Sequence, residues 1–353
     1  MKNKANLKNI LIGILFIIIL SVCFISINNN ANNPNIVNPP VSSGKYGNIV
    51  IDEELLNIFY FYVGNADSIF IKLGENTMLI DAGKISDGPH IADFLKEMNI
   101  TEIDYLIGTH DDSDHIGGIK TILDEIKVHN LYMPEIRANK DGKYSTSYQA
   151  ILDRLQNKNL ELTLAQNDVR FQFGEAIVIL KWPEQGLVTS DNNTSVVVEL
   201  NYKEQRYLFM GDLEKKMEKE ILDSLNIVDV VKIAHHGSDS STSTEFLDRI
   251  EPKFAIISSG SKHYNFPSIV VINRLLEKVS KENIYITERD GTIWLKSDGN
   301  IIEFEKLKNI NLDGAKSIIN ENFDDEVFKD ILNISYFSRK FQISYCKIMA
   351  IAV

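Results

Sequence analysis

The sequence predicts an α/β or α+β sandwich. Short apolar runs typical of strands alternate with helical patterns along residues 55–305, and helices spread between strands favour a layered architecture over an all-β barrel. The folded part opens on three successive strand-like runs, and no internal repeat of fixed short period appears. A hydrophobic content of 44%, with 19 Gly and 8 Pro, excludes a collagen-like, low-complexity or wholly disordered chain.

The opening β-meander is predicted at 58–63, 68–73 and 77–80, with turns at Gly64-Asn65 and Gly74-Glu75. Its aromatic run at 58–62 is interpreted as a core strand and not as a stacking platform for bases. Further strands are predicted at 105–108, near 131, and at 175–180, 195–200, 207–210, 228–233, 254–258, 284–287, 292–295 and 301–304. Helices are predicted at 89–98, from about 116, and at 148–155, 213–225, 244–250 and 268–279.

The amino-terminal segment 1–27 is set apart from the folded part. Lys2, Lys4 and Lys8 precede an uncharged run at 10–27, which is 18 residues long and near the lower limit for a helix that crosses a bilayer core of ~30 Å. We predict a signal anchor, with its basic end in the cytoplasm and the domain outside. A cleaved signal peptide, and therefore a secreted protein, is the alternative. A lipoprotein interpretation of Cys23 is weaker, because a bulky valine precedes it.

Two segments flank the predicted domain at 55–305. Residues 28–54 begin with a stretch rich in Asn and Pro and are predicted to be a polar linker. Residues 306–353 form a C-terminal extension with a helical pattern at 324–334 and an apolar end at 343–353, which is too short to span a membrane. Whether this extension covers the sandwich or binds a partner is left open, and no protein partner is inferred.

Charge and cysteine usage exclude several classes of protein. The 37 Lys and Arg residues face 49 Asp and Glu residues, for a formal net charge of −12. A basic coat for non-specific nucleic-acid binding is therefore excluded, because a polyanion would be repelled. Cys23 and Cys346 lie near opposite ends of the chain, which excludes a disulfide framework and a cysteine-rich zinc site.

Potential metal ligands concentrate directly after the strand predicted at 105–108. They are His110, Asp112, Asp114 and His115. Positions i and i+2 of a helix point to nearly opposite faces, so the four side chains converge only where a loop leads into a helix. Gly117 and Gly118 would then allow a close backbone approach beneath the site. The alternative is a solvated acidic loop, but imidazoles interleaved with carboxylates after a buried strand favour a metal site.

Two other predicted strands end in side chains that bind metals. Asp212 follows the strand at 207–210, and His235 and His236 follow the strand at 228–233. Each feature alone is weak, since an aspartate at a strand end is commonly a helix N-cap. Together with the first cluster they predict one site. Lys232, inside the second of these strands, is interpreted as an edge residue whose ammonium group reaches solvent.

These motifs resemble the metallo-β-lactamase superfamily, and within it the hydrolase domain of bacterial competence DNA-uptake channel proteins and their stand-alone secreted relatives. The resemblance covers about residues 58–304. Its specific parts are the His-x-Asp-x-Asp-His cluster at 110–115 and the His-His-Gly-Ser step at 235–238. Individually common matches complete it, at 61–70, 79–83, 191–197 and 210–212.

The resemblance implies a four-layer αββα sandwich with two divalent metal ions, zinc or manganese, at the strand ends. It assigns His110 and Asp112 to one ion and Asp114 and His115 to the other. Asp212 would bridge the two ions. His235 or His236 would complete the second ion's ligands, and the pattern does not decide which. Asp81, in the turn at 79–83, is assigned either to orienting a ligand imidazole or to capping the turn.

The sequence departs from the commoner superfamily pattern in three places. Asp112 stands where many members have histidine, and the added oxygen ligand makes Mn²⁺ competitive with Zn²⁺. The run 191–197 lacks the histidine that many members supply there, so one ion is held by few ligands. Phe266 precedes Pro267 where relatives often have histidine. Because a phenyl ring can neither donate nor ligate, we take His263 as the predicted substitute.

The predicted function is an extracytoplasmic metal-dependent hydrolase at the cell membrane, or alternatively a secreted one. Two divalent ions ~3.5–4 Å apart would present a bridging hydroxide and hold a phosphoryl or acyl oxygen, with catalysis assigned to Asp114, Asp212 and His263. The resemblance favours a phosphodiesterase or nuclease, and the acidic composition favours a small substrate or a locally basic groove for DNA. The alternatives are a surface binding module with a degenerate metal site, as Phe266 indicates, and another superfamily activity such as β-lactam hydrolysis.

Overall fold

The computed structural model describes residues 45–47, 49–184, 191–260 and 266–314. The chain divides into Met1–Asn48 and Ile49–Val353, and all elements given below belong to the second unit. No helix in the described ranges is long and apolar enough to cross a membrane. The predicted signal anchor, His263 and the patterns at 324–334 and 343–353 lie outside the described residues.

The strands of the described ranges form two sheets. They are β1 (Leu56–Tyr60), β2 (Ile69–Leu73), β3 (Asn76–Ile80), β4 (Glu102–Ile107), β5 (Lys127–Met133), β6 (Leu162–Leu164), β7 (Arg170–Phe173), β8 (Ala176–Trp182), β9 (Val197–Tyr202), β10 (Gln205–Phe209), β11 (Val230–Lys232), β12 (Phe254–Ile257), β13 (Ile284–Ile286), β14 (Thr292–Ser297) and β15 (Ile302–Leu307). The first sheet has the order β15-β14-β1-β2-β3-β4-β5-β6, and the second has the order β13-β12-β11-β10-β9-β8-β7. Both are mixed: β3 to β6 run parallel in the first sheet and β10 to β13 in the second.

The helices are α1 (Gly88–Glu97), α2 (Ser113–Ile116), α3 (Ile119–Glu125), α4 (Thr146–Lys158), α5 (Lys215–Ile221), α6 (Thr244–Ile250), α7 (Ile269–Leu276) and α8 (Thr287–Asp290). Most of them connect parallel strands, as crossover connections require. Single 3₁₀ turns occur at Asp191–Thr194, Leu222–Ser224, His235–Gly237 and Lys281–Asn283.

Two apolar layers hold the sheets and helices together. Inward-facing side chains of both sheets share one buried cluster, in which the rings of Tyr60 and Phe209 stack with centroids 6.2 Å apart. Outside the first sheet, Phe94 of α1 packs edge-on against Phe59 at 5.7 Å. Outside the second sheet, α5, α6 and α7 share a buried cluster with β11 and β12, which includes Val231. The predicted αββα sandwich is confirmed.

Each predicted strand and helix has a counterpart, but two strands and the short helix Thr287–Asp290 were missed. Leu162–Leu164 is only three residues long and half-exposed. Arg170–Phe173 has only four residues, in which polar and aromatic side chains alternate. Both segments are therefore too short to give a strong strand pattern. The helix predicted from about residue 116 is two helices, α2 and α3, separated at Gly117-Gly118. The sandwich also extends beyond residue 305, because the Leu312 N–H donates to the Tyr62 carbonyl at 2.9 Å.

Candidate metal centre

The candidate ligands lie where parallel strands of both sheets end. Asp81 follows β3 and His110 follows β4 in the first sheet. Asp212 follows β10 and His236 follows β11 in the second. Since the carboxyl ends of parallel strands meet at one edge of a sheet, the two packed sheets present these residues to one another.

The segment after β4 is a loop that leads into a short helix, as predicted. Asp112 has extended backbone angles (φ −69°, ψ 142°) and directly precedes α2, which carries Asp114 and His115. Beneath it, the Gly118 backbone lies so close to the turn after β3 that a Cβ atom would stand 2.0 Å from the Ala82 carbonyl oxygen. This contact requires glycine, and it sets the height of α2 over the strand ends.

One group of side chains joins His110, His115 and Asp212, whose ligand atoms all lie within 4.8 Å of one another. His115 Nε2 is 3.2 Å from Asp212 Oδ1, and the rings of His110 and His115 have centroids 4.1 Å apart. Asp112 lies at the open side of this group, with Oδ2 3.6 Å from His110 Nε2 and its side chain 42% exposed.

A second group joins Asp114, His115 and His236, again within 4.8 Å. His236 Nε2 lies 3.4 Å from Asp114 Oδ2 and 3.7 Å from Asp212 Oδ2. Asp212 therefore faces both groups with its two oxygens, as a bridging carboxylate would.

His236 occupies the second group and His235 lies at its margin. The His236 side chain is buried, whereas that of His235 is 21% exposed, with Nε2 3.9 Å from Asp212 Oδ2 and Nδ1 3.0 Å from the Ser240 hydroxyl. Both residues have positive φ, 51° and 52°. Two consecutive non-glycine residues in this region are strained, and such strain is common at functional sites. The geometry therefore favours His236 as the ligand of the second group.

Each inner imidazole is held through its Nδ1 atom. Asp81 Oδ2 lies 2.8 Å from His115 Nδ1 and also accepts from the Thr109 hydroxyl, while Asp81 Oδ1 accepts from the Thr109 N–H. His236 Nδ1 donates to the Ser258 carbonyl at 3.0 Å. Asp81 therefore orients a ligand imidazole, and the turn at Gly83 is closed instead by a hydrogen bond to the Asp67 carbonyl. Such partners fix the ring tautomer and direct Nε2 towards the centre.

Several polar atoms in this centre are buried without a hydrogen-bond partner among the described residues. They are Nε2 of His110, His115 and His236, and Oδ1 of Asp212. A buried polar atom without a partner costs about 1–3 kcal/mol, so their convergence calls for a ligand that accepts lone pairs. Nitrogen and oxygen donors in this mixture suit Zn²⁺ or Mn²⁺. The residues present thus fit the divalent metals that the sequence predicts.

The same atoms interact strongly when they carry charge. Burial raises the pKa of Asp212, but the neighbouring His115 and His236 imidazoles outweigh it and hold that pKa well below its usual range. Burial also raises the pKa of Asp114, but the neighbouring His236 and His115 imidazoles outweigh it and hold that pKa below its usual range. Conversely, burial lowers the pKa of His115, but the Asp212 and Asp81 carboxylates raise it well above the usual value. The carboxylates and these imidazoles thus favour each other's charged forms.

The run at 192–195 supplies hydrogen bonds to the centre. The Ser195 hydroxyl accepts from the Asp212 N–H at 2.9 Å, and Asn192 Nδ2 lies 3.5 Å from His235 Nδ1. The Phe266 ring faces the histidine pair, with centroids 5.7 Å from His235 and 6.4 Å from His236. His263, the predicted substitute for the histidine that relatives often have before this proline, lies outside the described residues.

The structure also brings in two buried residues that the sequence analysis did not assign to the site. The interpretation of Lys232 as an edge residue is wrong, because β11 lies between β10 and β12 and the side chain is 1% exposed. Its ammonium group forms a short ion pair with Asp67, which lies on the loop between β1 and β2. A lysine inside the apolar run at 228–234 was the available signal, since a buried ammonium group requires a paired carboxylate.

Comparison with known proteins identifies the family. Residues 61–261 match the metallo-beta-lactamase superfamily. The chain is 31% identical over 207 residues to ComE operon protein 3 of Bacillus subtilis, an alignment that covers 57% of this chain and 25% of the relative. It is 31% identical over 214 residues to Recombination protein 2 of Haemophilus influenzae (59% and 25% covered), and 25% identical over 217 residues to Competence protein ComA of Neisseria gonorrhoeae (60% and 28% covered).

This chain thus matches about a quarter of the length of these curated relatives. The matched part contains every candidate metal ligand described above. The chain belongs to the metallo-beta-lactamase superfamily, in the branch that includes the competence-related proteins.

Proposed function

We propose that this protein is a metal-dependent hydrolase that cleaves phosphodiester bonds. The observation that carries the proposal is the convergence of three buried imidazole Nε2 atoms, none with a hydrogen-bond partner in the described ranges, on the Asp212 carboxylate. A site of nitrogen and oxygen ligands that keeps one side open is typical of catalytic metals, whereas structural metal sites are closed by protein. Here the open side is at Asp112, which is 42% exposed.

The residues would divide between two cations. His110, Asp112 and Asp212 would hold the first, and Asp114, His115, His236 and Asp212 the second. Divalent cations in such a site lower the pKa of a water molecule and polarise a phosphoryl or acyl oxygen. Asp81 and the Ser258 carbonyl hold His115 and His236 in the tautomers that leave Nε2 free.

Charge supports an anionic substrate at this site despite the acidic chain. The carboxylates of Asp112, Asp114 and Asp212 cancel about three of the four charges of two divalent cations, so the loaded centre keeps about one positive charge. A phosphodiester group would be attracted locally, whereas the net charge of −12 weakens the binding of a long polyanion. The printed names of two relatives, a competence protein and a recombination protein, make DNA the polymer to test first.

The site of action is proposed to be outside the cytoplasm. The uncharged run at 10–27 follows three lysines, and the positive-inside rule would then place the domain outside. Protease treatment of intact cells tests this part of the proposal: degradation of the domain is expected, and full protection would contradict it.

The hydrolase proposal is tested with the purified full chain and Mn²⁺ or Zn²⁺. The substrates are single-stranded DNA and bis(p-nitrophenyl) phosphate. The variants are Asp114→Ala and, as a matched control, Asp153→Ala, which changes an exposed aspartate of α4. We expect turnover by the wild type and the control. In Asp114→Ala the turnover rate should fall by more than ~100-fold, which is the loss expected when only a hydrogen-bond partner of a metal ligand is removed. Equal turnover by wild type and Asp114→Ala would contradict the proposal. Metal binding without turnover of either substrate would favour the binding-module alternative.

A further inference from the structure

A buried ion pair stands directly behind one of the candidate ligands. Lys232 on β11 is 1% exposed and Asp67 is 2% exposed. The Lys232 ammonium group donates to Asp67 Oδ2 and to the Ile233 carbonyl, the latter at 3.0 Å. Neither residue belongs to the two ligand groups that carry the proposed function.

The free oxygen of Asp67 faces His236. Asp67 Oδ1 lies 3.6 Å from His236 Nδ1, and it is buried without a hydrogen-bond partner in the described part of the chain. His236 Nδ1 already donates to the Ser258 carbonyl. The N–H of this ring is therefore bound by the Ser258 carbonyl with a carboxylate oxygen close by, which favours the tautomer whose Nε2 lone pair faces Asp114 and Asp212.

The backbone of Asp67 is bound to the opposite side of the same centre. Its N–H donates to the Asp114 carbonyl at 3.2 Å, and its carbonyl accepts from the Gly83 N–H at 2.8 Å. One residue thus fixes the backbone of a candidate ligand from the first sheet and faces a candidate ligand from the second. A displacement of Asp67 would alter the distance between Asp114 and His236, which is now 3.4 Å between Oδ2 and Nε2.

Stability alone is a poor explanation for this pair. Taking two charges out of water is costly, and replacing a buried ion pair by apolar residues is often neutral or stabilising. The contacts of Asp67 offer a better one, because its backbone N–H donates to the Asp114 carbonyl and its free oxygen lies 3.6 Å from His236 Nδ1.

We propose that Asp67, held in place by Lys232, is a positioning residue that fixes the orientation of His236 relative to Asp114 for the second cation, while the Ser258 carbonyl sets the tautomer. The inference rests on the proposed metal centre, and it adds that binding at the second position depends on this ion pair. We expect the fold itself to tolerate replacement of the whole pair, because removing both charges leaves neither one buried alone.

The test compares two double variants of the full chain. Asp67→Asn with Lys232→Met removes the pair without leaving an unpaired charge. Lys181→Met with Glu199→Gln does the same to another buried pair of the second sheet, whose charged atoms are 3.5 Å apart and which touches no candidate ligand. The measurements are calorimetric titration with Mn²⁺ alone, the visible absorption spectrum with Co²⁺ alone, and the thermal unfolding of the metal-free protein.

We expect the Asp67/Lys232 variant to unfold near the wild-type temperature, to bind the second-position Mn²⁺ 10–100-fold less tightly, and to show an altered Co²⁺ spectrum. The Lys181/Glu199 variant should keep the wild-type affinity and spectrum. Should the double variant fail to fold, Asp67→Asn alone serves, because its amide oxygen still accepts from Lys232, and the same loss of affinity is expected.

Wild-type affinity and an unchanged Co²⁺ spectrum in the folded Asp67 variant would overturn the inference alone. Absence of Mn²⁺ and Zn²⁺ binding in the wild type would overturn the proposed function and this inference together, so the two failures are distinguishable.

Discussion

The two halves of the candidate centre differ in burial. The first half, His110, Asp112 and Asp212, includes a carboxylate that is 42% exposed. The second half, Asp114, His115, His236 and Asp212, has a most exposed member, Asp114, whose side chain is only 28% exposed. The first half is therefore open to solvent and substrate, and the second is enclosed by protein.

The halves also differ in what lies behind their imidazoles. His115 is held by the Asp81 carboxylate and His236 by the Ser258 carbonyl, whereas His110 Nδ1 faces only hydroxyl groups, those of Thr109 at 3.0 Å and Ser195 at 3.4 Å. Hydrogen bonds to a charged partner are about twice as strong as neutral ones. We therefore expect the second half to retain a cation more tightly than the first, because it is more enclosed and a carboxylate orients its His115.

The largest effect is expected for the residue that both halves share. Asp212→Asn keeps the shape of the side chain but removes the charge that faces both groups of ligands. We expect both cations to bind weakly and phosphodiesterase activity to fall by more than the ~100-fold attributed to outer partners. Metal content by elemental analysis and the rate of bis(p-nitrophenyl) phosphate hydrolysis check this. Retention of one tightly bound ion would show that one half functions without the shared carboxylate.

The next effect separates the two adjacent histidines. His236→Ala should remove the second cation, because His236 Nε2 is buried between Asp114 and Asp212. His235→Ala should change metal affinity by less than the tenfold that 1.4 kcal/mol represents, because its ring is 21% exposed and its Nδ1 is bonded to Ser240. Calorimetric titration of both variants measures the difference. Equal losses would mean that His235 also ligates.

The smallest effect is a dependence of the second half on pH. The raised pKa values of His115 and His236 mean that these rings hold protons at a pH where a free imidazole, with a pKa of about 6.5, would be neutral. A cation must displace those protons, so affinity should rise as the pH rises and fall as it falls. The carboxylates of Asp114 and Asp212 have lowered pKa values and stay ionised throughout.

Calorimetry in two buffers of different ionisation enthalpy measures the protons released, with one expected from each imidazole. An affinity for the second cation that does not change between about pH 6 and pH 8 would contradict this expectation.

The sequence predicted most of the strands and helices, but not every one. The largely apolar segment around Val230–Lys232, which is followed by two histidines, indicated both a strand and a site at the end of that strand. Leu162–Leu164 could not be found, because a three-residue edge strand with half-exposed side chains has no pattern to detect. The break between α2 and α3 depends on a tertiary contact of Gly118 with Ala82, which no local propensity encodes.

The site shows the same limit. The residue types and their clustering at 110–115 predicted a metal site. The sequence could not decide between His235 and His236, because the local backbone conformation determines which of two adjacent side chains points into the site. Asp67 was overlooked because nothing near it in sequence marks a ligand. Its partners, Lys232 and His236, are more than 160 positions away along the chain.

The centre draws its side chains from both sheets, His110 to His115 from the first and Asp212 and His236 from the second. Cations held there would link the two sheets, and only a folded chain, in which the sheets are packed together, could bind them. Ligand binding confined to the folded state adds about 2.7 kcal/mol of stability at a free concentration 100 times the dissociation constant. Where metal is scarce, the protein would lose this added stability together with its proposed activity.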